Sequence, residues 1–373
     1  MMKKIGLALL IGCITILLSG ICFAASSAAQ IKLSQTPINY SPVRPASDGQ
    51  FHDGLLFSKQ SDGTLVYYNA KGQEAFTLPA WIKPLSDFSE QRAMVMNTKT
   101  KLVGYINTKG ALAIPCKYAD GERFSEEVAH VFIPDSTEQA IIDRSGKIVH
   151  TFNQTYDSDY AFSGGLAAAY ALKGGKLGFI NTSGELVIPY QYTYARRFSE
   201  GVSLVQNGKG KYGFIDAAGK TIIPFQFKAG GDFSGGLAAV ENAKGKWGYI
   251  NKNGKTVIPF KYYGAGNFSE GLAYVYNSKG KLGYINKNGT QIIAYQQYNR
   301  AFDFEEGVAL VGVESKSGAD SRFGYIDRQG KLLTKLEYKV ESSSFNGGSA
   351  AALKTLGKGV ILTKVSLTQQ KTN

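Results

Sequence analysis

Cysteine is nearly missing from this chain: there are three in 373 residues, and Cys116 is the only one beyond the N-terminal apolar segment. A lone thiol forms no internal disulfide, so stability has to come from packing. Cys116 stands in the segment IPCKY, where sister segments carry Phe or Tyr, and is expected to be a buried apolar residue and not a reactive one. Histidine is equally scarce, and His52, His130 and His150 fall at unrelated places, with no spacing that converges on a metal. Four Met against 44 Gly, 22 Tyr and 21 Phe describe turns and strands, with little material for long helices. Acidic residues are short as well, 29 against 42 Lys and Arg, for a net charge of +13. That imbalance favours anionic partners.

The N-terminus is the one apolar stretch of any length. Lys3 and Lys4 precede the run Ile5 to Leu18, and small residues follow up to Ala24, the layout of a secretory signal peptide over residues 1–24. Cleavage is expected after Ala24 in preference to Ala28, and an uncleaved anchor is disfavoured because the run is shorter than the ~20 residues a spanning helix needs. The mature chain is then expected to be periplasmic or secreted, without a transmembrane span, and nucleic acid is set aside as a partner.

Beyond this segment the chain repeats itself. Gly178, Gly213, Gly248 and Gly283 are each 35 residues apart, in KLGFINTSGELVIP, KYGFIDAAGKTIIP, KWGYINKNGKTVIP and KLGYINKNGTQIIA. Gly324 and Gly359 continue the series, and Gly104, Ala140 and Val66 extend it toward the N-terminus. Each unit is expected to hold three strands. The first follows a Phe-Ser-Glu-Gly segment; the second is typified by Trp247 to Asn251; the third, typified by TVIP, ends at a proline such as Pro259, which has no amide proton to give a sheet interior. Between the second and third, Asn251-Lys252-Asn253-Gly254 is a turn signal, with Asn bonding the backbone two residues on and Gly accepting positive φ. The crossing to the next unit stays open, because its Ala and Phe, spaced by three, also suit a helical turn.

These features resemble the WG repeat, named for a Trp-Gly dipeptide that stands here once, as Trp247-Gly248. The resemblance spans roughly residues 51 to 365; elsewhere Leu177, Tyr212, Leu282 and Phe323 replace the Trp, which argues for a packing position and against a Trp-specific ligand contact. It implies a bacterial binding or structural module and does not imply an enzymatic activity; no cofactor is expected.

The domain reading is therefore one array of about nine repeats over residues 29–366, followed by a polar tail at 367–373. The array ends on an unpartnered first and second strand, and IKLSQTPINY near the N-terminus can supply a lone third one. The fold class expected is all-β, with a propeller-like closed ring favoured over an open β-solenoid, since closure removes exposed strand edges.

Candidate chemistry is thin. The Asn-x-x-Gly turns lack the dense carboxylates of a calcium loop, and the Gly-rich stretches lack the lysine-serine pair of a phosphate loop. Glu126/Glu127 and Glu305/Glu306 are adjacent carboxylates in a segment that recurs as Glu90, Glu200 and Glu270. A structural role suits that recurrence better than a hydrolase's acid/base pair. The recurring Phe179, Phe214, Tyr249, Tyr284 and Tyr325 are expected in the core. One basic column is a candidate binding surface: Lys176, Lys211, Lys246, Lys281 and Arg322, with Lys173, Lys209, Lys244 and Lys279 in the same hairpins. Lysines at hairpin ends also keep edges soluble. The partners expected are an anionic polysaccharide, a cell-wall polymer or a protein.

Overall fold

The structure is a computed structural model that describes residues 31–38, 49–152, 161–171, 174–296, 298–315, 320–339, 342–355 and 358–365. The expected signal peptide, Lys173 and the polar tail lie outside the described residues. No helix among the described residues is long and apolar enough to cross a membrane.

Nine small antiparallel sheets form a ring, a nine-bladed β-propeller; blades 1 to 9 are counted by their first strands, which begin at Leu55, Arg92, Val128, Leu166, Val202, Leu237, Leu272, Val308 and Ser349. Blade 6 shows how one unit folds. Leu237–Glu241 pairs with Trp247–Asn251, which pairs with Thr256–Tyr262. The turn expected at Asn251 is present: its Oδ1 accepts from the amides of Asn253 (3.1 Å) and Lys255 (3.0 Å), and Gly254 has φ 74°.

The glycine of the Trp-Gly dipeptide has a separate cause. The register between second and third strand shifts on both sides of Tyr249, so the third strand bulges. That bulge brings the Ile258 carbonyl oxygen within 2.8 Å of where a Cβ on Gly248 would sit. Gly213, Gly283 and Gly324 meet the same crowding. The third strand also continues past its proline to Tyr262, and does not end there as expected; Pro259 sits exposed in the bulge, where a missing N–H costs nothing.

The crossing left open from the sequence is resolved as a fourth, two-residue edge strand, such as Gly264–Ala265 on Leu272–Tyr276. No helical turn forms there. The last blade is stitched from both termini: Lys32–Ile38 pairs along its whole length with Lys358–Val365, which pairs with Ser349–Thr355. This is the closure anticipated from the unpaired ends.

The core is divided among the seams. Each of the nine junctions between consecutive blades holds its own buried apolar cluster, including the one joining Ala351 and Ile361 of blade 9 to Leu56 and Val66 of blade 1. The recurrent aromatics expected in the core are there, and Tyr249 and Tyr284 also donate to carbonyls across a seam, at 2.8 and 2.9 Å. Cys116 is only half-buried, packed beside the cluster of blades 1 and 2, and burial pushes its thiol pKa up.

The Phe-Ser-Glu-Gly segment is the latch between blades. Ser89, Ser163 and Ser199 donate to the carbonyls of Phe124 (2.6 Å), Phe198 (2.7 Å) and Phe233 (2.7 Å) in the following blade. Asn346 takes this place in blade 9 and donates to the Phe51 carbonyl at 2.8 Å, closing the ring. The glutamates are not on a strand, as their adjacency suggested, but in the turn before it. Glu90, Glu126, Glu200, Glu270 and Glu306 have φ between 50° and 53°. Their carboxylates accept amide protons from the next blade, Glu270 from Gly307 at 2.8 Å and Glu126 from Gly164 and Gly165 at 2.7 and 2.8 Å.

Burial opposes ionisation of Glu200, but the Gly236 amide and Lys252 outweigh it and hold the carboxyl below its usual range. Positive φ strains a residue with a Cβ, and the bond across the seam offsets that strain. Glu200→Ala should therefore cost about 1 kcal/mol and Glu200→Gly less, because glycine loses the bond yet sheds the strain. Guanidinium denaturation midpoints rank the two; an equal loss would remove the strain account.

Candidate polyanion-binding face

Strand direction assigns every turn to one of two faces. The first strand runs away from the latch, the second returns and the third runs away again. The latches and the Asn/Asp-x-x-Gly turns therefore share one face. The hairpins between first and second strands share the other, together with the crossings to the next blade.

Lys176, Lys211, Lys246, Lys281 and Arg322 occupy equivalent positions at the start of the second strand in blades 4 to 8, on this hairpin face. Each is exposed or half-buried. In blades 5 to 7 the hairpin is one motif, Asn-x-Lys-Gly-Lys, beginning at Asn207, Asn242 and Asn277. The Asn207 Oδ1 accepts from the amides of Lys209 (3.0 Å) and Lys211 (3.1 Å), and Asn242 and Asn277 repeat the pattern. The side-chain amide thus fixes the backbone and leaves both ammonium groups to project from the turn.

The crossings add residues that sequence reasoning missed. Lys228 is exposed just ahead of its edge strand, Lys261 is exposed near the end of the third strand, and Tyr263 is 53% exposed with the Lys246 Nζ 3.0 Å from its ring centroid. Their signal was present as the position after the third-strand bulge, but it lay in the segment without a legible period. Between blades 6 and 7 a cleft of about 350 Å³ is lined by Lys261, Tyr263, Asn277 and Tyr295 among others. Glu241, half-buried, is the acidic residue on this face within blades 5 to 7, whereas the blade 3 hairpin carries Asp135 and Glu138. The charge is an arc and not a full ring.

The histidines stay apart: His130 is buried against Gln139 at 2.9 Å, His52 lies 3.9 Å from Asp87, and His150 packs on Phe152. No group of His, Cys, Asp and Glu among the described residues is arranged to hold a metal.

A second cleft, about 420 Å³, lies between blades 7 and 8 and is lined by Tyr274, Tyr276, Arg300, Phe302 and Asp303. The Asp303 Oδ1 is buried without a hydrogen-bond partner, and burial pushes the carboxyl pKa up to about 6. Tyr274, Tyr276, Tyr284 and Arg300 face it, the last paired with Glu314 at 3.1 Å.

The family described as WG containing repeat matches residues 104–132, 178–212, 212–247, 247–281, 283–316 and 323–354, more than half of the chain. The match 212–247 runs from the second strand of blade 5 to that of blade 6, so sequence repeat and blade are out of phase. No curated protein matches the chain. Among solved structures, the eukaryotic initiation factor aligns at TM-score 0.56 and 12% identity, over 80% of this chain and 90% of that one. The computationally designed Ika8 protein aligns at 0.48 and 12%, over 88% and 100%. BamB from Moraxella catarrhalis aligns at 0.45 and 11%, over 89% and 99%. The likeness to the initiation factor is one of fold.

Asp303 generates a pH prediction. Its folded pKa of about 6 exceeds the ordinary 3.8, so its contribution to stability is full below the lower value and lost as pH rises through the upper one. Asp303→Asn should stabilise the protein by about 3 kcal/mol at neutral pH and by almost nothing at pH ~3 and below. Denaturation midpoints of variant and parent across this range measure the difference.

Proposed function

The chain belongs to the WG containing repeat family, and from that premise we propose that it is an exported, non-catalytic binding module for an anionic envelope polymer or glycan. The lysine arc of blades 5 to 7 is its contact surface. The observation that carries this reading is the Asn-x-Lys-Gly-Lys hairpin, repeated in three consecutive blades and backed by Lys228 and Lys261. A polymer with regularly spaced carboxylates or phosphates meets a regularly spaced row of ammonium groups. Each exposed contact is weak, and the affinity comes from engaging several at once.

Tyr263 and Tyr295 flank the cleft beside Lys261 and offer ring faces against which a sugar can stack. The layout of residues 1–24 supports a periplasmic or secreted location, where acidic polysaccharides and cell-wall polymers are the available polyanions.

A second reading, a protein interaction scaffold, has an observation of its own. Val149, Val187, Ile222, Val257 and Ile292 are exposed at equivalent third-strand positions, an aliphatic belt along the blade edges. Recovery of one stoichiometric protein partner, insensitive to salt, would favour it.

Binding to polygalacturonate, lipopolysaccharide and an anionic cell-wall polymer over a salt series tests the polymer reading. Affinity should fall steadily with rising salt. Lys→Gln replacement at 209, 211, 244, 246, 279 and 281 together should lower it by at least about tenfold at low salt, with the circular dichroism spectrum unchanged. Absence of salt-sensitive binding to all of them removes the reading.

A further inference from the structure

Most seams of the ring are filled by an aromatic ring of the protein itself. Two residues before the edge-strand position stand Tyr118, Tyr192, Phe227, Tyr262, Tyr298 and Tyr338, each 7% exposed or less. The seam between blades 1 and 2 departs from this. There the position paired with the start of the second strand, held elsewhere by Tyr118 or Tyr262, is taken by the smaller Leu78, whose amide bonds the Leu65 carbonyl at 2.9 Å and which is 6% exposed. Trp81, two residues before the edge-strand position at Lys83, is 45% exposed. The cause is local: the third strand of blade 1 stops at Thr77, and a turn closed by the Ile82 amide on the Pro79 carbonyl (2.9 Å) precedes the edge strand.

A cavity of about 730 Å³ opens at this seam. Phe57, Leu65, Leu78 and Leu85 form apolar wall, and Lys59 and Lys83 belong to the same lining. Asp62, the one acid of the lining, accepts the Thr64 amide at 2.8 Å. The seam is short of a hydrogen bond too. The hydroxyls of Tyr105, Tyr249, Tyr284 and Tyr325 each donate to a carbonyl of the next blade. Tyr67, their counterpart in blade 1, is 1% exposed and its hydroxyl has no partner.

We propose that this cavity is a binding site for a small aryl carboxylate, whose ring takes the space left where Leu78 stands in place of a tyrosine or phenylalanine and whose carboxylate meets Lys59 and Lys83. The volume lies within the range of small-molecule sites. The walls match a ring, and the two ammonium groups select a single negative charge over a neutral or cationic ligand. The site is independent of the lysine arc, which lies on other blades.

Trp81 and Trp247 are the two tryptophans of the chain, so Trp247→Phe leaves Trp81 as the sole reporter; sister units carry Phe or Tyr at that position. The probe is 4-hydroxyphenylacetate, a tyrosine side chain bearing a carboxylate, followed by calorimetry and by Trp81 emission. One saturable site is expected, with affinity at least about tenfold weaker for 4-methylphenol and for a Lys59→Gln/Lys83→Gln variant. These surface lysine changes leave the fold intact, whereas Leu78→Trp tests the same point by filling the cavity. The proposal is overturned by three results: no saturable binding, binding that ignores both lysine changes, or a Trp81 shielded from acrylamide in the free protein. The last would mean that the indole itself fills the cavity. Tight binding of decanoate without binding of 4-hydroxyphenylacetate would likewise reject an aryl ligand.

Discussion

A sheet of three or four short strands cannot bury both of its faces alone, and in this ring each blade takes half of its core from the blade on either side. Everything else follows from keeping those faces in register. The latch does this with backbone chemistry. A serine hydroxyl reaches a Phe carbonyl across the seam while a carboxylate gathers the amides of the next turn. Groups that would otherwise be unsatisfied at a turn are used up in joining two blades.

The latch also varies from blade to blade as a pair of positions. Glu200 and Glu270 each meet a cation in the Asn/Asp-x-x-Gly turn of the next blade, Lys252 at 3.3 Å and Arg328 at 3.4 Å, and Glu306 meets Lys364 at the equivalent place near the end of the second strand of blade 9, at 2.6 Å. Where blade 4 has Gly164 instead of a glutamate, the corresponding residue of blade 5 is Ala217. Blade 9 has Gly347, and blade 1 answers with Ala70. Charge is present on both sides or on neither at six of the nine seams; Lys287 stands opposite Gly235, Asp53 opposite Thr108 and Glu126 opposite Thr182. Exposed pairs of this kind add little stability each.

The sequence carried the large features and concealed the small ones. A period of 35 residues, a turn signature with a stated mechanism and two complementary ends were enough to anticipate a closed all-β ring. The edge strands were invisible because two residues carry no periodicity, and the third strand was cut short because its bulge hides pairing beyond the proline. The latch glutamates were recognised as repeated, but their left-handed backbone could be found only in three dimensions. Within the candidate site the lysine column was legible from spacing alone. Lys228, Lys261 and Tyr263 were not, since they join it through the crossing. The cavity at the first seam left a faint trace, an irregular segment around Trp81 where the repeat is degraded.

The stitched blade has a consequence for the timing of folding. Its pairing of Ser34 with Thr363 spans 329 positions of the chain, so the ring cannot shut until residues 358–365 have been synthesised. Eight blades can stack as a growing arc beforehand, each stabilised by the one before. The closing step then carries the entropy of joining distant ends. A chain with its last seam unmade is an open arc, and it becomes one closed body only once its two ends have met.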